Sequence, residues 1–447
     1  MQPLRTTLAA ATCVLALALT ACAPLGGTNT SPTDVNPDGE IEPREISWLL
    51  SRPADGGVIT AMQQIADEYA QENPEFSLRL ITTPDRPSYL QRLETLAAAN
   101  ELPELFDIDA TPFARKLADQ GRMMDAEALL EDIGVLDDYR PAALNYQRFD
   151  DGSLHMVPFE FQLEMFWYNT ALYERAGVEV PRTLDDFPRM CRDLRAAGII
   201  PIALDGKDQW PLERYLAYYP FRLTGQGYIN DLKHADASLG DEPGRAAVEW
   251  LAELGEAGCF QEGFSATGYA DAQALFTSGR AATYNIGTWE LANLATENLD
   301  ESVRDDVDFF TLPTVPGATT ADNEYFTPSG IGMAVNAATY DPLVRDFLAF
   351  ALERYPEVYT ASGALSPITT AETTIPAGAT PLYERAVQLA DKVGDESAVP
   401  WDALLDPTSN TRLQQELTLL VQGEVTPDDF IETMDAVITE HAPEASE

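Results

Sequence analysis

The chain has 447 residues, with 73 Asp or Glu against 28 Lys or Arg and a formal charge of -45. That length suits two or three domains with cores of their own, while the charge argues against nucleic acid, whose phosphates need clustered cations, and disfavours anionic substrates. The three histidines, His155, His234 and His441, fall in no metal-binding spacing, and no G-x-S-x-G elbow, P-loop or full dinucleotide fingerprint occurs, so no metal, cofactor or catalytic residue is expected.

Residues 1–21 read as a lipoprotein signal peptide: Arg5, an apolar stretch from Leu8 to Leu19, then Leu19-Thr20-Ala21-Cys22. The apolar stretch is shorter than the roughly 20 residues that span a bilayer. Cys22 is the expected lipidation site, an ordinary secretory signal with an incidental cysteine being the alternative. Residues 22–44, rich in Gly, Thr, Ser, Pro and Asn, read as a flexible tether. Outside the cytoplasm disulfides form. Cys191 and Cys259 either bridge or sit as buried free thiols.

Ile46 to Leu50 is a short apolar run, followed by Ile59, Met62, Ile65, Ala66 and Tyr69 at helical spacing. Phe76, Leu78 and Leu80 alternate as in a strand, residues 89–99 carry a helix, and residues 105–109 a third strand. The order βαβαβ opens a three-layer α/β lobe. Residues 154–158 read as a further strand and residues 167–177 as carrying a helix that ends at Gly177. Asn169 is expected to cap that helix, with Tyr168 packed between layers. Thr183 with Asp186, and Thr426 with Asp429, have the spacing of capping boxes.

Asp151-Gly152, Pro158, Tyr168-Asn169, Ala176-Gly177, Pro181, Thr183, Asp186-Phe187, Gly198-Ile199, Pro201 and Trp210 occur in this order. Further on stand residues 271–282, Gly287-Thr288-Trp289, residues 309–313, residues 329–335 and residues 363–367. This succession resembles the bacterial extracellular solute-binding proteins of family 1, which serve ABC sugar importers. Thr170 departs from the pattern, which more often has Lys there.

The resemblance implies an α/β, two-lobed, periplasmic-binding-protein-like (type II) fold. Each lobe is then a three-layer sandwich, with a ligand cleft between lobes joined by hinge crossings near residues 159–164, 305–307 and 335–340. The N-lobe is expected over residues 45–158 plus 307–335, and the C-lobe over residues 159–306 plus 336–447. The implied protein is no enzyme. It is the substrate-binding component of an importer, a monomer held by Cys22 on the outer face of the bacterial cytoplasmic membrane, which captures a mono- or oligosaccharide by lobe closure and delivers it to permease transmembrane subunits. Polyols, glycerol phosphates and peptides are alternative ligands in this architecture, and a secreted glycoside hydrolase is the rival enzyme class.

Ligands of open α/β sheets bind beyond the carboxyl ends of the strands. In the implied fold this rule selects Arg52 and Asp55 after the first strand, Asp109 after the third, Glu160 and Gln162 at the first crossing, and Trp210 and Trp289 in the other lobe. Gly330 in a hinge segment and Trp401 on the far side complete the set. A sugar needs bidentate polar partners for its hydroxyl edge and an aromatic plate for its C–H face, and the set supplies both. Asp55, Asp109 and Glu160 have helix caps or solvated loop acids as their alternative, Arg52 an ion pair, and the tryptophans core packing.

Overall fold

The computed structural model describes residues 39–52, 56–83, 86–369, 375–394 and 397–442. The expected signal peptide, the lipidation site Cys22, most of the tether and the candidate Asp55 lie outside the described residues. Among the described residues the strands are β1 (Glu45–Leu49), β2 (Ser77–Ile81), β3 (Leu105–Ile108), β4 (Glu164–Asn169), β5 (Ile200–Ala203), β6 (Ala281–Gly287), β7 (Val307–Phe310), β8 (Tyr325–Phe326), β9 (Gly332–Val335) and β10 (Ser397–Ala398).

They form a sheet in the order β2-β1-β3-β9, another in the order β5-β6-β4-β7, and a short β8-β10 pair. In the first sheet Trp48 stands beside Leu80 and Leu49 beside Phe106 in parallel register, and β9 closes the edge antiparallel, Asp107 opposite Met333. Alternation along the strands sends side chains to two cores. Ile46, Trp48 and Leu105 face one, and Leu49, Phe106 and Ile108 the other. The first core is covered by the helix Gly57–Glu72, whose Val58, Ile59, Met62, Ile65, Ala66 and Tyr69 form a single buried stripe. The second is covered by Tyr89 and Leu93 of the helix Arg86–Ala99. This is the expected three-layer lobe.

In the second sheet β4 runs antiparallel to both neighbours, with Trp167 opposite Tyr284 on one side and Phe309 on the other. Phe166, Phe187, Tyr215, Trp250 and Leu417 belong to its core. Cys191, in the helix Phe187–Ala196, bridges Cys259, both fully buried with Cα atoms 4.9 Å apart. The bridge ties that helix to the segment whose Phe260 lies beside Ile202 of β5. Asn169 caps the helix Thr170–Ala176 as expected, its Oδ1 accepting from the Leu172 amide at 2.8 Å.

The lobe boundaries differ from the expectation. β7 belongs to the second sheet, where Phe310 stacks on Phe166 at 5.1 Å and Phe309 meets Trp167 at 5.6 Å. The helix Pro342–Thr360 belongs to the first lobe, because Leu343, Phe347, Leu348 and Tyr355 share the core of the helix Gly57–Glu72. The second crossing therefore falls between β8 and β9, and the third beyond the helix Pro342–Thr360, later than the resemblance placed them. Residues 154–158 form no continuous strand and make only isolated bridges, Leu154 with Arg148 and Val157 with Met333. No helix among the described residues is long and apolar enough to cross a membrane.

Candidate functional site

β6 ends at Gly287, and a short turn then carries Trp289. A Cβ on Gly287 would lie 1.9 Å from the indole ring, so only glycine lets this ring fold back over the strand end. The indole N–H donates to Tyr269 Oη at 2.9 Å, and Tyr269 donates in turn to Glu290 Oε1. Glu290, 4 % exposed, also accepts from Gln273 at 2.5 Å and Asn293 at 2.8 Å. The Trp289 plate is thus fixed along its N–H edge by neutral donors gathered on a buried carboxylate.

Trp210 follows the loop after β5. There Asp205 Oδ1 accepts from the Asp208 amide at 3.2 Å, and Gln209 holds φ +68°, a conformation that is uncommon outside glycine. The two indoles meet edge to face, ring centres 6.2 Å apart at 62°. The Arg214 guanidinium, one helical turn on, lies 5.1 Å from the Trp210 ring centre. It donates to Glu164 Oε1 at 2.8 Å and to Asp402 Oδ1 at 2.9 Å. Burial pushes the Glu164 carboxyl up, opposed by Arg214.

Tyr146 ends the helix Pro141–Tyr146 and is half-buried. Burial raises its phenol pKa, and the fields of Asp109 and Asp402 push the same way, against Arg214. Asp109 does not cap the next helix: Thr111 does, accepting from the Ala114 amide at 3.3 Å.

A second cluster sits where the crossings leave the first lobe. Arg52, 8 % exposed, donates from Nε to Asp107 at 3.1 Å, from Nη1 to Glu160 at 2.5 Å, and from Nη2 to the Ile331 carbonyl. Burial lowers its pKa, but the Asp107 and Glu160 carboxylates more than offset this and leave it raised. Burial also pushes Asp107 up to about 6. Gly330 has φ +65°, and a Cβ there would come within 2.3 Å of Glu160 Oε2.

Of the remaining candidates, Gln162 is buried and its side-chain Oε1 accepts from Thr288 Oγ1 at 3.0 Å, while its backbone N–H donates to the Pro328 carbonyl at 2.9 Å. It knits the two crossings to the Trp289 turn. Trp401 is 3 % exposed and packs on Tyr228 at 6.1 Å; its neighbour Asp402 is the residue that reaches Arg214. Sequence reasoning passed over Glu164, Arg214, Asp402 and Tyr146. A carboxylate opening the apolar run Glu164-Met165-Phe166-Trp167 was the available signal, since a buried charge demands a partner.

Beside Arg214, Glu213 is fully buried with Oε1 accepting from Gln414 at 2.7 Å and Oε2 unpartnered. Burial, aided by Asp402, pushes its carboxyl up to about 8 from an ordinary 4.5. The folded state then holds a proton that the unfolded chain releases, so this group's contribution falls as pH rises from 4.5 to about 8 and levels off above. Glu213→Gln should leave stability at pH 4.5 nearly unchanged and raise it at pH 8 by about 2 kcal/mol. Urea unfolding at the two pH values measures this, and parallel curves for variant and parent would contradict it.

Comparison with known proteins agrees with this architecture. Residues 56–354 match the family described as "Bacterial extracellular solute-binding protein". An uncharacterized ABC transporter extracellular-binding protein of Pyrococcus horikoshii is 24 % identical over 62 % of this chain and 64 % of its own length. The multiple sugar-binding protein of Streptococcus mutans is 22 % identical over 52 % of this chain and 54 % of its own. The chain thus spans less than two thirds of the length of these curated relatives. A solved chitin oligosaccharide binding protein superposes with a TM-score of 0.72 at 20 % identity, covering 90 % of this chain and 99 % of that one. With its two α/β lobes and the family match running from the helix Gly57–Glu72 into the helix Pro342–Thr360, the chain belongs to the bacterial extracellular solute-binding proteins.

Proposed function

We propose that this protein captures a carbohydrate outside the cell by closing its lobes around it and delivers it to the membrane subunits of an ABC importer. The observation that carries the reading is the Trp210–Trp289 corner set against Arg214, which holds Glu164 and Asp402 beside it. Aromatic plates suit the C–H faces of a pyranose, and carboxylates suit its hydroxyl edge. A ligand held by both lobes shifts the population toward the closed form by its differential affinity for that form. The sugar-binding relative and the chitin oligosaccharide binding neighbour support the ligand class. Attachment to the membrane through Cys22 belongs to the same proposal.

Trp289→Ala should weaken binding of the sugar that most stabilises the parent by about 1–3 kcal/mol, roughly 5- to 150-fold in dissociation constant, with the unfolding midpoint of the free protein little changed. Titration calorimetry reads the effect. An unaltered dissociation constant would remove Trp289 from the site and with it the aromatic corner on which the reading leans.

A further inference from the structure

The first crossing and the one between β8 and β9 run side by side. On the first-lobe side Val157 and Met333 exchange both backbone hydrogen bonds, at 2.8 and 2.9 Å. Two residues on, the carbonyls of Phe159 and Ile331 are held by first-lobe side chains, Phe159 by Tyr355 Oη at 2.6 Å and Ile331 by Arg52 Nη2. Arg52 also holds Glu160 at 2.5 Å, and the buried Gln147 donates to Ser329 Oγ and to the Gly330 carbonyl, both at 2.9 Å. Past these anchors the second lobe takes over. Gln162 N–H donates to the Pro328 carbonyl at 2.9 Å, and Thr288 grips the same segment three times. Its Oγ1 accepts from the Leu163 amide and donates to Gln162 Oε1, and its own amide donates to the Leu163 carbonyl, each at 3.0 Å. First-lobe anchors thus end at Glu160 and Ser329, and second-lobe anchors begin at Gln162 and Pro328. Rotation of one lobe on the other is absorbed in such a short stretch between rigid anchors.

We infer that Thr288 is a positioning residue that couples the Trp289 plate to the lobe hinge, so that a ligand seated on Trp289 biases rotation about the paired crossings. The inference rests on the carbohydrate reading above and adds the route by which ligand contact reaches the hinge. Coupling of this kind needs an element whose position both sites bias. Thr288 is joined to the hinge by its three hydrogen bonds and to Trp289 by a peptide bond, and it is 1 % exposed. Trp289 does not swing independently, because Tyr269 holds its N–H and its ring lies over Gly287. A displacement of the plate is therefore passed to Gln162 and Leu163. Valine has the shape of threonine without its hydroxyl. In this buried place it takes an acceptor from the Leu163 amide and a donor from Gln162 Oε1, which cuts the link with little change in volume.

The test compares Thr288→Val, Thr288→Ser and Gln162→Met with the parent in the full-length protein, using whichever of galactose, raffinose, xylotriose and chitotriose raises the parent's melting temperature most. Calorimetry reads the dissociation constant, and small-angle scattering reads the contraction at saturation. Thr288→Val is expected to bind about tenfold more weakly and, once saturated, to contract by less than about half as much as the parent, while Thr288→Ser restores both. Gln162→Met cuts the same link from the hinge side and should behave alike, with the double variant no weaker than either single one. It carries the test alone if Thr288→Val does not fold. Full contraction of saturated Thr288→Val, whatever its affinity, would overturn the inference and leave the carbohydrate reading standing, and so would Thr288→Ser as impaired as Thr288→Val. A parent that binds sugar without contracting would overturn it as well. If none of these sugars raises the parent's melting temperature, the carbohydrate reading falls and takes the inference with it.

Discussion

Arg214→Met is expected to destabilise the protein by about 3–5 kcal/mol and, under the proposed function, to weaken sugar binding as well. Methionine keeps an apolar stem against Trp210 but removes the cation that pairs with Glu164 and Asp402, at 2.8 and 2.9 Å. Glu164 is 4 % exposed, so without its partner it must either stay ionised away from water or take up a proton, and both are unfavourable. A second substitution separates loss of the pair from loss of packing. If the unpaired carboxylate is the cause, Glu164→Gln added to Arg214→Met should restore at least 1.5 kcal/mol, since removing both charges relieves the uncompensated one. A single variant within about 1 kcal/mol of the parent would show that the ion pair does not anchor this part of the second lobe.

Removing the disulfide should have a comparable effect by a different route. The bridge closes a loop with a sequence separation of 68 residues, for which the chain-entropy estimate is about 4 kcal/mol. Cys191→Ala with Cys259→Ala should lower the free energy of unfolding by that amount in denaturant titrations without altering binding of the proposed ligand, because the bridge ties the helix Phe187–Ala196 to the segment beside β5 and involves none of the candidate site residues. The parent in reductant and denaturant should behave as the double variant does. A double variant as stable as the oxidised parent would mean that the bridge is absent in solution.

How much of this was legible in the sequence followed from what kind of interaction each feature depends on. β1, the helix Gly57–Glu72, β2 and β3 follow local periodicity, and the Asn169 cap follows a local hydrogen bond, so all could be read directly. β7 and β9 could not be assigned to a lobe in this way. Both are short apolar strands, and only the partners they find decide: Trp167 and Phe166 for β7, and β3 for β9. The helix Pro342–Thr360 was misplaced for the same reason, its stripe showing burial without showing against what.

The site divides along the same line. Trp210 and Trp289 stood out because their glycine-bearing and polar loops follow strand ends, and the structure sets the two rings in contact. Arg214, Glu164 and Asp402 lie far apart along the chain and meet only through tertiary packing. Arg52 was legible as a strand-end residue, but its three protein acceptors were not, since one comes from a strand in the core and two from the crossings.

The most direct test of the central claim is small-angle scattering of the purified protein during titration with neutral mono- and oligosaccharides, with the sugar assayed afterwards for conversion. The account predicts that at least one sugar contracts the particle in proportion to occupancy and is recovered unchanged. A sugar that is hydrolysed, or that saturates the protein without any contraction, would contradict capture by lobe closure.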